Sequence, residues 1–292
     1  MINNNDQAHI KALKKEYESL IDGKESLLKI LKETELPELV YNSNAIENST
    51  LTLKETEKIL LEQEVMRDVS VRELFEAKNL ARVLDYLESK PKLELSAENI
   101  LLLHKMLIGG IDDAIAGRLR KEHEYVRVGN HIAPAPEHVE QLLNNLIDNF
   151  NSNHDLYYLD NIAYFHVEFE RIHPFCDGNG RIGRVLINLQ LASLGYPPLI
   201  IRNKGKHSNY YPVFQEYTDR GVYSGMSDLL VLALSESLHK RLAYMKGLNI
   251  ITLSEFSKQN NLALNGQLNS AKRQTIPAFR EKGVWKIGIT LT

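Results

Sequence analysis

The chain has 292 residues, 43% hydrophobic and 25% charged, with a net charge of -3. That balance belongs to ordinary globular proteins and gives no global reason to expect nucleic acid or an anionic membrane as partner, while a single cysteine excludes an internal disulfide framework and suits a reducing compartment. No apolar run approaches the ~18 residues of a membrane span, and the polar start Met1-Ile2-Asn3-Asn4-Asn5-Asp6 lacks a basic region followed by an apolar one, so the expectation is a cytoplasmic protein.

The length allows roughly two domains. Ile10, Leu13, Tyr17, Leu20, Leu27 and Leu31 keep to one stripe and predict an amphipathic helix over residues 8–33, bent at Gly23. A homodimer contact through it is left open. A second, shorter helix is expected after Pro37, with Leu39, Val40 and Ile46 as apolar contacts, ending near Glu47. A carboxylate at a helix C-terminus is disfavoured by the helix dipole and calls for a cationic partner. Thr52-Leu53-Lys54-Glu55 and Ser70-Val71-Arg72-Glu73 read as capping boxes opening two further helices. Ser96 opens another, which stops at Gly109-Gly110. Residues 117–134 change character. Tyr125-Val126-Arg127-Val128, a Gly129-Asn130 turn and His131-Ile132-Ala133-Pro134 predict a small hairpin. Pro136-Glu137 opens a helix through Phe150, and Ile162 to Ile172 has helical spacing.

The densest chemistry follows. His173-Pro174-Phe175-Cys176-Asp177-Gly178-Asn179-Gly180-Arg181-Ile182-Gly183-Arg184 brings a base, a carboxylate, glycines and two arginines into one loop that ends at a helix start. A helix start offers unpaired N–H groups and the positive end of a dipole. Gly178 and Gly180 let the backbone curl into a nest for phosphate. Arg181 and Arg184 share a helix face and suit phosphate oxygens. Asp177 lies too near that nest for a phosphate contact unless magnesium bridges the two. His173 can then take a proton from an attacking group. His166, one helix turn pair earlier, has no tight metal-ligand pattern around it and reads as structural.

This stretch resembles the signature of the Fic family, H-x-F-x-(D/E)-G-N-G-R-x-x-R, at every specified position. The resemblance implies an all-helical Fic fold with a small hairpin flap, and transfer of AMP from ATP to a protein hydroxyl with magnesium as cofactor. It implies His173 as general base and Asp177 as the magnesium ligand. Gly178, Asn179 and Gly180 become the anion hole, Arg181 and Arg184 the grip on the outer phosphates, and Phe175 the anchor of the loop. Ser43-Asn44-Ala45-Ile46-Glu47-Asn48 resembles the family's inhibitory motif, (S/T)-x-x-x-E-(G/N), and implies a pair between Glu47 and Arg184 that denies the arginine to the nucleotide. Residues 117–134 resemble the Fic flap, which docks an extended segment of the target protein by backbone hydrogen bonds. The family's spacing also makes Tyr210 a candidate contact to the nucleotide.

Beyond the motif come a basic loop from Arg202 to His207, a helix expected to be capped by Ser208 and carrying Tyr210, Tyr211, Phe214 and Tyr217, and a closing helix from Leu229 to Met245. Thr252-Leu253-Ser254-Glu255 starts a short helix, Asn260-Asn261 interrupts it, and a second helix and two strands follow. That pattern, with Ile276-Pro277-Ala278-Phe279 and Trp285, resembles small winged helices. Its cations Lys258, Lys272, Arg273, Arg280, Lys282 and Lys286 would permit DNA contact, with protein contact favoured slightly. The expected division is a helical region at 1–95 with its inhibitory helix near 38–48, a catalytic core at 96–245 and a winged-helix-like domain at 246–292. The expected function is protein adenylylation restrained by Glu47, self-modification included. Phosphotransfer as in the related Doc toxins, removal of AMP with Glu47 activating water, and DNA-binding regulation through 246–292 stay open. Retention of Gly180 and Arg181 speaks against the first of these.

Overall fold

The computed structural model describes residues 1–65, 68–129, 131–153 and 155–290. Asn130, the second residue of the predicted turn, lies outside them, as do the last two residues of the tail. The chain forms two compact units. Residues 1–2, 36–196 and 201–229 make one, and 3–35, 197–200 and 230–292 the other. Both are mainly helical, with two small antiparallel sheets among the described residues.

The first helices divide differently from expectation. Helix α1 spans Asn4–Leu20 and α2 spans Glu25–Ile46, so the break falls at Gly23 and not before Pro37. Gly23 adopts φ +72°, and the Lys24 N–H closes a turn onto Ile21 O. A left-handed residue stops a helix where a bend would let it run on. Pro37 lies inside α2. It removes one N–H donor at a cost of about 3 kcal/mol, and the helix nonetheless continues to bury Val40 and Ile46 completely.

In the first unit, α3 (Leu53–Glu57) opens on the predicted capping box, with Thr52 and Glu55 bonding reciprocally, and runs into a π turn at Lys58–Glu62. Helix α4 (Val71–Ser89) has only half of its expected box. Ser70 Oγ accepts from the Glu73 N–H, but the Glu73 carboxylate, instead of the Ser70 N–H, takes the Ser70 hydroxyl at 3.2 Å and the Thr50 N–H at 2.6 Å, tying the preceding loop down. Helix α5 (Ala97–Ile108) is capped by Ser96 and ends at Gly109. Strands β1 (Arg127–Val128) and β2 (His131–Ile132) form the hairpin, Arg127 opposite Ile132. Helices α6 (Pro136–Ser152), α7 (Tyr158–Ile172) and α8 (Asn179–Ser193) follow, with α7 packed on both α6 and α8. Leu80, Leu103, Phe165, Phe169 and Leu186 lie in their shared core. Ser208 does not cap the next helix. A π turn at Lys206–Tyr210 precedes α9 (Tyr211–Arg220), Tyr210 stands at its cap without a side-chain bond, and Ser208 Oγ donates to Gly205 O.

In the second unit, α10 (Ser224–Met245), which begins in the first, leads to β3 (Asn249–Thr252), α11 (Leu253–Gln259), α12 (Leu264–Lys272), β4 (Ala278–Glu281) and β5 (Val284–Ile289). The three strands pair in the order β3-β5-β4 around Leu253, Ala271, Ala278 and Ile287. Strand β3 is an addition to the expected pattern: its four residues run straight into the Thr252 capping box, which reads locally as helix start. Arg280 stacks on Trp285 and pairs with Glu236, and Lys286 pairs with Glu281. Arg280 and Lys286, both counted for DNA contact, are therefore engaged within the unit.

Candidate active site

The loop between α7 and α8 is held from three sides. His173 ends α7 in a left-handed conformation, φ +50°, uncommon for a residue with a side chain, and this turns the chain out of the helix. Phe175 is fully buried and stacks on His104, ring centroids 3.7 Å apart. The Asn179 carboxamide closes the loop, accepting from Phe175 N–H and donating to Phe175 O, both at 2.8 Å. His104 accepts from the Gly117 N–H through Nδ1 and so donates through Nε2 to Asp177 O, each at 3.0 Å. Arg120 donates to His173 O, Ile172 O and Pro134 O. Gly178 takes φ +80°, a conformation a glycine adopts freely. Gly180 does not share it. That glycine matters for space: a Cβ there would lie 2.2 Å from Glu47 Oε1.

A cavity of about 430 Å³ opens above this loop. Of the residues singled out in the sequence, Glu47, His173, Gly180, Arg184 and Tyr210 line it. Asp177, Gly178, Asn179 and Arg181 are not among its lining residues. Arg184 is buried and bonded through all three nitrogens. It donates to Glu47 Oε1 at 2.8 Å, Ser43 O at 2.8 Å, Ser43 Oγ at 3.0 Å and the Tyr210 hydroxyl at 3.4 Å. Glu47 follows the last residue of α2, whose terminal carbonyls are capped in turn. Lys206 Nζ donates to Ala45 O, Ile46 O and Asn48 Oδ1, and the Tyr211 hydroxyl to Ile46 O.

Electrostatics divide the site. Burial pushes the His173 imidazole down to about 4, so it is neutral at neutral pH. Its Nδ1–H donates to Glu170 O at 3.2 Å, which leaves the Nε2 lone pair free to act as a base. Burial, with Arg184 beside it, pushes His166 down to about 3, and its Nε2 bonds the Tyr210 hydroxyl at 2.8 Å. Burial opposes ionisation of Asp177, yet Arg181 and Arg72 hold its carboxyl below the usual range. Arg181 pairs with Asp177 and Glu76 at 3.1 Å each, and Arg72 reaches both carboxylates from α4. Asn179 can offer a ligand its backbone N–H only, since its side chain is used within the loop.

Among the described residues no cluster of three or more His, Cys, Asp or Glu side chains is arranged for a metal ion. Magnesium, however, is held by one or two carboxylates together with substrate phosphates. An ionised Asp177 at the base of a helix-start loop fits that role.

A family model described as Fic/DOC family matches residues 94–191. This is a Fic/DOC domain protein. Protein adenylyltransferase Fic of Drosophila persimilis is 34% identical over 197 residues, 66% of this chain and 38% of that protein. Its namesake in Drosophila erecta is 28% identical over 291 residues, 97% of this chain and 58% of that one. The chain thus spans between 38% and 58% of the length of these curated relatives. A Fic domain containing signaling protein from Bacteroides thetaiotaomicron superposes with a TM-score of 0.74 at 26% identity, covering 82% of this chain and 97% of that one. Fic-1 from C. elegans gives 0.71 at 26%, covering 83% and 73%. The Fic fold reads directly from the residue 173–184 motif. Arg72, Glu76, His104, Arg120 and Lys206 carry no local signal of their place in the site, whereas Ser43 opens the motif that contains Glu47. Glu170 does carry one, standing three residues before His173 on the same helix face.

Proposed function

We propose that this Fic domain is a protein adenylyltransferase held back by Glu47. The observation that carries the proposal is a neutral, buried His173 sharing one cavity with Arg184 and the start of α8. ATP enters with its phosphates toward the N–H groups of that start and toward Arg184. Asp177 would hold magnesium, whose charge would offset that of the phosphates. His173 Nε2 takes the proton of a target hydroxyl. The oxygen bonds to the α-phosphorus, the bond from that phosphorus to its bridging oxygen breaks, and pyrophosphate leaves. The β1–β2 hairpin, with Val128 and Ile132 exposed, receives an extended segment of the target. Glu47, by occupying Arg184, keeps ATP from seating productively. In this scheme residues 1–95 restrain, 96–245 catalyse and 246–292 serve as an accessory. Tyr210, locked between His166 and Arg184, shapes the nucleotide end of the cavity.

ATP labelled at the α- or γ-phosphate tests the reading. Label from the α position, appearing on the chain itself or on a lysate protein, is the expected result. Transfer of the γ label alone would assign phosphotransfer and overturn the proposal.

A further inference from the structure

Glu170 lines the same cavity and has no part in the chemistry above. It lies on α7, three residues before His173, with its side chain 13% exposed. Its Oε1 has no hydrogen-bond partner. That oxygen is pressed against α8, where a Cβ on Gly183 would stand 2.4 Å from it. Its Oε2 is 3.8 Å from His173 Nδ1, outside hydrogen-bond range. The groups facing it are Glu47 from the end of α2, His166 and His173 on α7, Arg184 on α8 and Tyr210 before α9. The one fixed cation among them is already paired with Glu47 and bonded to Ser43. Burial, and the Glu47 carboxylate after it, push the Glu170 carboxyl up to about 8. At neutral pH it is a carboxylic acid, with one O–H to give.

A carboxyl that lines a ligand cavity while one of its oxygens is buried against α8 without a partner calls for an explanation. We propose that Glu170 is a further binding residue of this cavity, donating its carboxylic O–H to an anionic oxygen of the bound nucleotide. The proposal rests on the nucleotide reading of the cavity. A neutral acid can hydrogen-bond a phosphate oxygen at close range, as a carboxylate cannot. Ionised Glu170 would instead repel the phosphates and compete for Arg184. Nucleotide binding therefore favours the protonated form and holds a proton on Glu170. The sign follows: affinity is complete below about pH 8 and weakens as pH rises above it.

The test is calorimetric titration of ATP into the full chain between pH 6.5 and 9.5, on wild type, Glu170→Gln and Glu170→Leu. Thermal unfolding checks that each variant is folded. In wild type, affinity is expected to fall about tenfold per pH unit once Glu170 ionises. Glu170→Gln keeps an N–H donor without a charge, so its affinity should match wild type at pH 7 and stay level to pH 9.5. Glu170→Leu has no donor and should bind about tenfold more weakly at every pH, the loss of one hydrogen bond to a charged group. Equal affinity of Gln and Leu variants, or the same pH profile in wild type and Glu170→Gln, would overturn the assignment while leaving the cavity's function intact. Absence of ATP binding in all three would overturn the nucleotide reading and this proposal together.

Discussion

His173 can work as a base only while it is neutral, and burial ensures this down to about pH 4. His173→Ala is expected to lower AMP transfer by ~10²–10⁴-fold while ATP affinity changes little, because no phosphate contact is lost. Parallel calorimetry and α-label incorporation separate the two quantities; a variant that loses affinity but keeps turnover would contradict the assignment. Arg72 poses a different question. Its guanidinium rests on Asp177, the proposed magnesium ligand, while its own side chain is 56% exposed. An exposed pair contributes roughly 0–1 kcal/mol, so Arg72→Ala should barely alter stability. It should lower the magnesium concentration needed for half-maximal ATP binding, since one competing cation is gone. An unchanged magnesium midpoint would mean that Arg72 and the metal do not compete for Asp177.

In the proposed scheme, restraint depends on the end of α2. Glu47 reaches Arg184 from the end of a helix whose final turn is pinned by Lys206 and Tyr211. Glu47→Gly should raise adenylylation by orders of magnitude. Lys206→Ala should raise it less, because the turn loosens but the carboxylate remains. Incorporation of α-label at equal protein and ATP ranks the two; no gain in Glu47→Gly would end the inhibitory role of Glu47. The stability cost of Glu47→Gly belongs at the low end for broken ion pairs, about 1–2 kcal/mol, because the Glu47 side chain is 41% exposed. The twelve residues from His173 to Arg184 were legible because the loop and both helix ends that build it are contiguous. Arg120 and Lys206 were not, since each acts through backbone carbonyls or side chains distant in sequence, and pairing at that range leaves no local pattern. Pro37 misled for a related reason. Propensity sets a local cost that burial of Val40 and Ile46 can exceed, and only the folded context shows that it does.

For the molecule as a whole, buried ionisable groups set the pH range of stability. His104, His166 and His173 are held near 4, 3 and 4 against an ordinary 6.5. The unfolded chain binds their protons first, so stability is present above about pH 6.5 and is lost as pH falls. Glu170, held near 8 against 4.5, works in the opposite sense and lowers stability as pH rises between those values. Each group contributes at most about 1.4 kcal/mol per pH unit. The melting temperature should therefore peak near pH 6.5 and fall steeply toward pH 4.5, and Glu170→Gln should flatten the alkaline side. A wild-type profile level from pH 4.5 to 6.5 would show that these histidines are not held neutral. Removal of residues 246–292 has a second molecular consequence. Within the second unit, Glu236 and Lys240 on α10 are buried against Arg280 and Glu281 of the tail. The truncated chain should melt earlier by several degrees, yet retain transfer at low temperature, because every residue assigned to the chemistry lies in the first unit. Transfer lost in a truncated chain that is still folded would give the tail a catalytic share.

The space at Gly180 also orders the history open to such a chain. While Glu47 keeps its oxygen 2.2 Å from where a side chain would begin, position 180 cannot acquire one without a clash. In the proposed scheme either replacement lifts the restraint, but a side chain at position 180 must also push the Glu47 carboxylate aside, whereas replacing Glu47 first leaves that space open.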